Sequence, residues 1–293
     1  MKVSIGIPFY NPGDDFKEAI LSVIKQSYTN FELILLNDGS CDNSLEVAKS
    51  FSDPRIIVIS DGTNKGLPNR LNELIDISTG DFIARMDADD LISEHRLQQQ
   101  VDFLLANPEL NLVSTGICSI SNNSVVVGYR EAVQKNNKCV SVSSVIFGKA
   151  NIAHATIMAR KSWYARNRYN EKAKLMEDYQ LWIDAAIKND LAVGYISTPL
   201  YFYREESSTS SKKAINAYKN QYQLVYSTYF EHLSFYEKCK FSLLTVVKIC
   251  TVTLLNIFNF TAYLVKIRNK NTHQNNQTLQ KLQAELNNIR DEN

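Results

Sequence analysis

Short apolar runs alternate along the first part of the chain with stretches whose apolar positions recur at helical spacing. The runs lie at residues 3–7 (VSIGI), 31–36 (FELILL), 55–59 (RIIVI) and 81–86. Between them, Phe16, Ala19, Ile20, Val23 and Ile24 predict one helix, residues from about Asn43 to Phe51 a second, and Leu67, Leu71, Leu74 and Ile75 a third that ends near Gly80. Strand, helix, strand, helix, strand, helix, strand predicts a parallel sheet covered by helices on both faces. Ligands of such sheets bind at the carboxyl ends of the strands. The polar clusters at Asn11, Asp38, Asn64 and Asp87 all fall at such ends, so they describe one site.

Beyond Asp90 the alternation loosens. Residues 93–106 predict a helix with Leu97, Val101 and Leu104 inward. Residues 111–120 and 125–129 predict a hairpin across Asn122-Asn123, and Ala155 to Ala159 a strand preceded by His154. A helix is expected over about 175–189 and two more strands at 191–196 and 199–204, whereas 130–150 carries no clear pattern. Glu205 to Ser211 reads as a polar loop, and Arg204 with Glu205 and Glu206 as solvated unless that loop closes over the site. A long Tyr-rich helix is expected from Lys213 to about His232. Residues 241–267 form the most apolar stretch, and Leu279, Leu282, Leu286 and Ile289 mark a short amphipathic helix in an Asn/Gln-rich tail. Three units are expected: 1–211, split into halves 1–90 and 91–211; a helical extension 212–270; and a polar tail 271–293.

Bulk composition changes this picture little. The chain of 293 residues is 44% hydrophobic and 22% charged, enough for a sizeable core. A formal net charge of +1 excludes a dominant polyelectrolyte mode, and nucleic acid is not an expected partner. The five cysteines are far apart and form no CxxC pair, so neither a zinc site nor a disulfide framework is indicated. The N-terminus runs straight into a strand with no signal peptide, and the expected setting is the cytosol. Charge is uneven, however: six basic residues and no acidic one lie between Lys238 and Lys270. Basic flanks on the 241–267 stretch suit the anionic inner leaflet of the cytoplasmic membrane. An interfacial helix, a spanning helix and a helix packed on its own domain are the three readings.

The chemistry concentrates in Phe82-Ile83-Ala84-Arg85-Met86-Asp87-Ala88-Asp89-Asp90. Three carboxylates in four residues follow a buried strand. They repel one another and are costly to bury without a cation. Mn²⁺ or Mg²⁺ shared with a phosphorylated ligand is the simplest partner. The plainer alternative is a solvated turn capping the next helix. Asp38, before Gly39-Ser40, is a turn residue or an acceptor for base or ribose donors. Glu177-Asp178 opens a helix, as a dipole-favoured cap or as a general base. His154 alone reads as a hydrogen-bonded structural histidine.

The sequence resembles the family 2 glycosyltransferases of GT-A fold. The resemblance rests on Val3-Ser4-Ile5-Gly6-Ile7-Pro8-Phe9-Tyr10-Asn11, Asn37-Asp38-Gly39-Ser40, Ala84-Arg85-Met86-Asp87-Ala88-Asp89-Asp90 and Glu177-Asp178-Tyr179-Gln180-Leu181-Trp182. It covers roughly residues 1–211 and is closest to bacterial members that build capsule, lipopolysaccharide or exopolysaccharide. It implies a Rossmann-like, mixed and mainly parallel sheet flanked by helices, here with a C-terminal helical extension. It implies that Pro8, Tyr10 and Asn11 line the donor pocket, that Asp38 contacts the nucleotide, usually uridine, and that Asp87 approaches the ribose. Asp89 would bind Mn²⁺ or Mg²⁺ and Asp178 would be the catalytic base of an inverting transfer. Lys65, Arg70, Arg85, His154, Glu177 and Arg204 are candidate supporting residues. The expected donor is a nucleotide-sugar and the expected acceptor a saccharide or lipid-linked saccharide.

Two positions depart from the family. Where many relatives carry an arginine in the helix after the Asn-x-Gly loop, this chain has Leu71, with Arg70 beside it and Lys65 nearby. Where relatives often carry a histidine two residues after the arginine of the Tyr-Arg loop, it has Glu206. Two other function classes stand against the transferase. A nucleotidyltransferase would need a basic Gly-rich loop after the first strand, and Phe9-Tyr10-Asn11-Pro12-Gly13 has no Lys or Arg. An inactive sugar- or nucleotide-binding module would be expected to lose one of Asp87, Asp89 or Asp178, and all three are present.

Overall fold

In the computed structural model, which describes residues 1–132, 135–173, 175–205, 211–257 and 275–290, the first four apolar runs pair side by side. Strands β1 (Val3–Phe9), β2 (Phe31–Asn37), β3 (Ile56–Ser60) and β4 (Phe82–Arg85) run parallel in the order β3-β2-β1-β4. The crossovers are α1 (Asp15–Ile24), α2 (Ser44–Lys49) and α3 (Leu67–Ile77). Strand alternation divides the core between two faces. Val3, Ile5, Ile7, Leu33, Leu35, Phe82 and Ala84 pack with Phe16, Ala19 and Ile20 of α1. Ile34, Leu36 and Ile83 pack on the other side with Leu71, Leu74 and Ile75 of α3. Gly6 is what lets α3 close on β1, since a Cβ there would lie 2.0 Å from Leu74 Cδ1.

The second half adds β5 (Leu91–Ile92), α4 (Arg96–Ala106), β6 (Leu112–Ile120), β7 (Val126–Arg130), α5 (Val142–Ile146), β8 (Met158–Arg160), α6 (Lys161–Arg166), α7 (Glu177–Ile187) and β9 (Val193–Arg204). The sheet continues as β4-β8-β6-β9-β5, with β7 also on β6. β8 is antiparallel to β4 and β6, β7 to β6 and β5 to β9, whereas β9 runs parallel to β6. The result is a mixed sheet, parallel where the βαβ units build it, with one tight antiparallel hairpin at β6–β7 and antiparallel pairs between strands far apart in sequence elsewhere.

Several expectations are corrected. The strands expected at 191–196 and 199–204 are one strand, β9, whose register against β6 shifts around Gly116. Ser197 and Thr198 have no partner on β6, and the ladder resumes where Pro199 faces Gly116. The strand expected at 155–159 is a 3₁₀ turn, His154–Thr156, followed by the shorter β8. The pattern-poor 130–150 segment contains α5. Arg204 and Glu205 are buried, not solvated. Glu206 lies outside the described residues, as do residues 258–267 of the apolar stretch.

After β9 come α8 (Ser211–Leu224), a π-helical turn (Val225–Tyr229), a 3₁₀ turn (Phe230–His232) and α9 (Phe235–Ile257). Phe241 of α9 is buried in the core, stacks on Tyr222 of α8 at 5.9 Å and meets Phe147 edge-on at 6.1 Å. The opposite face exposes Phe235, Tyr236, Leu243, Val246, Val247 and Leu254. Among the described residues, α9 is the helix long and apolar enough to cross a membrane by length and composition, with a mean hydropathy of 1.4 and 17% of its most apolar window buried. The amphipathic segment of the tail forms α10 (Asn276–Arg290), and it is docked on the domain.

Candidate active site

At the carboxyl ends of β1 and β2 the backbone folds into two loops stitched by one side chain. Asn11, at φ 47°, accepts the N–H groups of Cys41 at 2.8 Å and Asp42 at 3.3 Å on its Oδ1. Tyr10 stands exposed at the rim, and Pro8 is half-buried. Gly39, at φ 77°, turns the chain after Asp38, and a Cβ there would lie 2.9 Å from the Asn64 nitrogen. The Asp38 carboxylate is buried and holds this second loop: it accepts Lys65 N–H at 2.7 Å, Gly66 N–H at 3.1 Å and Arg70 Nε at 2.9 Å.

Arg70 itself has no accessible side-chain surface. Its remaining donors reach Asp61, Glu73 and the Thr63 carbonyl. The guanidinium is therefore part of the wall beneath Asp38. Lys65 is exposed and pairs with Asp61 at 2.6 Å.

At the end of β4 the three carboxylates have three different environments. Asp87 forms an ion pair with Arg85, with Nη1 to Oδ2 at 3.1 Å, and its N–H donates to the Tyr201 hydroxyl at 3.1 Å. Asp90 is buried and braces the turn, accepting the Tyr201 hydroxyl at 2.8 Å and the Arg204 N–H at 2.8 Å. Burial, followed by the charges of Asp87 and Asp89, raises its pKa well above the ordinary value. Asp89 is half-buried, and burial and Asp87 raise its pKa as well. Its carbonyl accepts Arg204 Nε at 2.7 Å. Among the described residues its carboxylate has no salt bridge.

Across the cleft, α7 begins with Glu177 and Asp178. Asp178 Oδ1 accepts its neighbour's backbone N–H, from Tyr179, at 2.7 Å. Burial raises the Asp178 pKa; the Tyr179 N–H and Arg85 act against the rise and Asp87 acts with it. Glu177 is raised by burial too. Arg85 and Asp87 thus act electrostatically on Asp178 although about ninety positions separate them in sequence. His154 bonds through Nε2 to the Tyr169 hydroxyl at 2.7 Å and meets Trp182 edge-on at 6.0 Å. Burial and the nearby Arg85 hold its pKa well below the usual value, so it is a neutral structural ring beneath the α7 turn.

Residues 4–168 match the glycosyl transferase family 2 domain. The chain belongs to that family. This glycosyltransferase is 33% identical to EpsE of Bacillus subtilis (strain 168), named as a glycosyltransferase, over 232 residues covering 77% of the chain and 81% of EpsE. It is 27% identical to the Escherichia coli UDP-Glc:alpha-D-GlcNAc-diphosphoundecaprenol beta-1,3-glucosyltransferase WfgD over 230 residues, 76% of the chain and 85% of WfgD. Its fold resembles the mannosyltransferase PcManGT from Pyrobaculum calidifontis, solved with GDP-Man and Mn²⁺, at TM-score 0.61 and 14% identity over 98% of the chain and 85% of PcManGT. It also resembles S. aureus TarS 1-349, solved with UDP, at TM-score 0.59 and 19% identity over 77% of the chain and 66% of TarS 1-349. The fold is GT-A.

In this glycosyltransferase Arg85 and Asp87 act electrostatically on both Glu177 and Asp178, Asp89 follows Asp87 on the same turn, and Asp38 and Asn11 lie in the adjoining strand-end loops. Tyr201, Asp61 and Glu18 escape sequence reasoning. Tyr201 had one usable signal: with Tyr203 it alternates along a strand, so a hydroxyl was due on the same face as its neighbours.

Proposed function

We propose that the chain is an inverting glycosyltransferase that moves a sugar from a nucleotide-sugar, in first place a UDP-sugar, to a hydroxyl of a growing polysaccharide or lipid-linked oligosaccharide. The observation that carries this reading is that Arg85 and Asp87, at the carboxyl end of β4, both act electrostatically on Asp178, while Asp89 follows Asp87 on the same turn. Two relatives support the substrate class. WfgD is named for UDP-Glc and a diphosphoundecaprenol-linked acceptor, and TarS was solved with UDP.

In this account Asn11, Tyr10 and Pro8 flank the donor, and Asp38 offers the free lone pair of Oδ2 to the base. Asp87, oriented by Arg85, meets the ribose. Asp178 takes the proton of the acceptor hydroxyl. The freed oxygen attacks the anomeric carbon from the face opposite the diphosphate. The bond to the diphosphate breaks with its electron pair, and the configuration inverts.

The donor set at Asp89 fits a hard cation. It is an oxygen ligand, free of salt bridges among the described residues, whose charged state is disfavoured by burial and by Asp87. Among the described residues no three His, Cys, Asp or Glu side chains form a metal cluster, so phosphate oxygens and water would supply the other ligands. A bound Mn²⁺ or Mg²⁺ would offset the charge of the leaving diphosphate.

We place residues 1–211 as the transferase unit. The exposed apolar face of α9, with Lys238, Lys240 and Lys248 on the same helix, fits peripheral binding to the anionic inner face of the cytoplasmic membrane. Incubation with UDP-, GDP- and dTDP-sugars and Mn²⁺, following donor hydrolysis, tests the reading. Turnover of one donor class supports it, and inert behaviour toward all three overturns it.

A further inference from the structure

The docked C-terminal helix α10 reaches the Asp87–Asp90 turn through an unbroken series of polar contacts. Leu282, Leu286 and Ile289 are buried against Leu91, Cys118, Ile120, Tyr129 and Phe202. Gln283 accepts Val126 N–H at 2.8 Å and donates to the Ser124 carbonyl at 3.3 Å. Lys25 Nζ caps the helix end, donating to the carbonyls of Asn288 and Ile289 at 3.0 Å each. Next to that cap, Arg290 Nε donates to Glu18 Oε1 at 2.7 Å.

Glu18 is shared. Its second oxygen accepts Arg204 Nη2 at 2.9 Å, and the same nitrogen lies 3.1 Å from Asp15 Oδ1. Arg204 is buried, and its Nη1 donates to Ser124 Oγ at 3.0 Å and to the Asn122 carbonyl at 3.1 Å. Its Nε holds the Asp89 carbonyl at 2.7 Å and its backbone N–H holds Asp90. One guanidinium therefore joins α1, the β6–β7 turn and the acidic turn. Glu18, between two arginines, fixes where that guanidinium sits.

We propose that Arg204 is a positioning residue for the Asp89 turn and that the Arg290–Glu18 pair of α10 is the latch that keeps it in place. The C-terminal helix is then a working part of the active site. This rests on the reading of Asp89 as the group that meets the metal. With Glu18 neutralised, the Arg204 cation keeps Asp15 as its one paired counter-charge among the described residues and is freer to shift toward Asp89. With Arg290 removed, Glu18 is less fixed and the effect is smaller.

The test is calorimetric titration of UDP into the full-length protein at a series of Mn²⁺ concentrations, alongside thermal melting of each variant. The expected half-saturating Mn²⁺ rises about 10-fold in Glu18→Gln and about 3-fold in Arg290→Ala, within and just below the range typical of groups that orient metal ligands. Arg290→Lys restores most of it. A Mn²⁺-dependent wild type whose variants keep the same Mn²⁺ requirement, with or without a lower Tm, overturns the latch alone. A wild type whose UDP binding ignores Mn²⁺ overturns the metal reading of Asp89 and the latch with it.

Discussion

Arg85 is paired with the carboxylate of Asp87, and the same cation acts on Asp178 across the cleft. On the proposed reading, one buried guanidinium would serve the nucleotide side and the acceptor side of the site together. As a base, Asp178 must be ionised, so the acidic limb of the rate profile follows its raised pKa. Arg85 works against that rise. Replacing Arg85 by Met should move the acidic limb of kcat to higher pH, and a limb that stays or moves down would contradict the electrostatic role.

Arg70 ties Asp38 to Asp61 and Glu73 from a fully buried position. Arg70→Met leaves the buried Asp38 carboxylate without its cation. A loss of about 3 kcal/mol in chemical denaturation is expected, together with weaker UDP binding. A phosphate-binding role without a structural one would instead leave stability intact.

Glu32 lies buried between β1 and the Ser78–Gly80 turn, accepting Lys2 Nζ, Ser4 Oγ and both the N–H and the hydroxyl of Thr79. Burial pushes its pKa up, but these donors outweigh burial and bring it down to about 2 from the ordinary 4.5. A depressed carboxylate contributes stability above the ordinary value, and that contribution is lost as pH falls toward about 2. Melting curves of the wild type should therefore drop more steeply between these limits than those of Glu32→Gln. Parallel curves would remove Glu32 from the account of acid unfolding.

Leu243 and Val247 are exposed on α9 and lie away from the Phe241 contact. The double variant Leu243→Glu, Val247→Glu should lose co-sedimentation with anionic liposomes while stability changes by no more than about 0.5 kcal/mol. Undiminished sedimentation would argue against the membrane reading of this face.

The fold of residues 1–90 was legible because its signals are local. A strand such as Phe31–Asn37 is apolar from Leu33 to Leu36, and Asp38, which follows it, must sit at the end of the sheet. The helix start that carries Asp178 was legible from Met176-Glu177-Asp178 ahead of Leu181 and Trp182. Arg204 was not, because a charged residue after a strand looks solvated. The acceptors that bury it come from Glu18, Asp89 and the Asn122–Ser124 turn, far apart in sequence. The docking of α10 was hidden for a related reason. Three apolar side chains in a polar, Asn/Gln-rich segment suffice only because Leu91, Cys118 and Phe202 present a matching surface. The break in β9 depends on Pro199 facing the register shift in β6, which no single-strand pattern records.

The claim that Asp178 is the base of the transfer is tested most directly by Asp178→Asn, measured for UDP binding by calorimetry and for sugar transfer in the presence of Mn²⁺. The account predicts that transfer falls by about 10³-fold or more, as expected for loss of general-base catalysis, with the UDP dissociation constant nearly unchanged. A loss of UDP binding as large as the loss of transfer would place Asp178 on the donor side and contradict it.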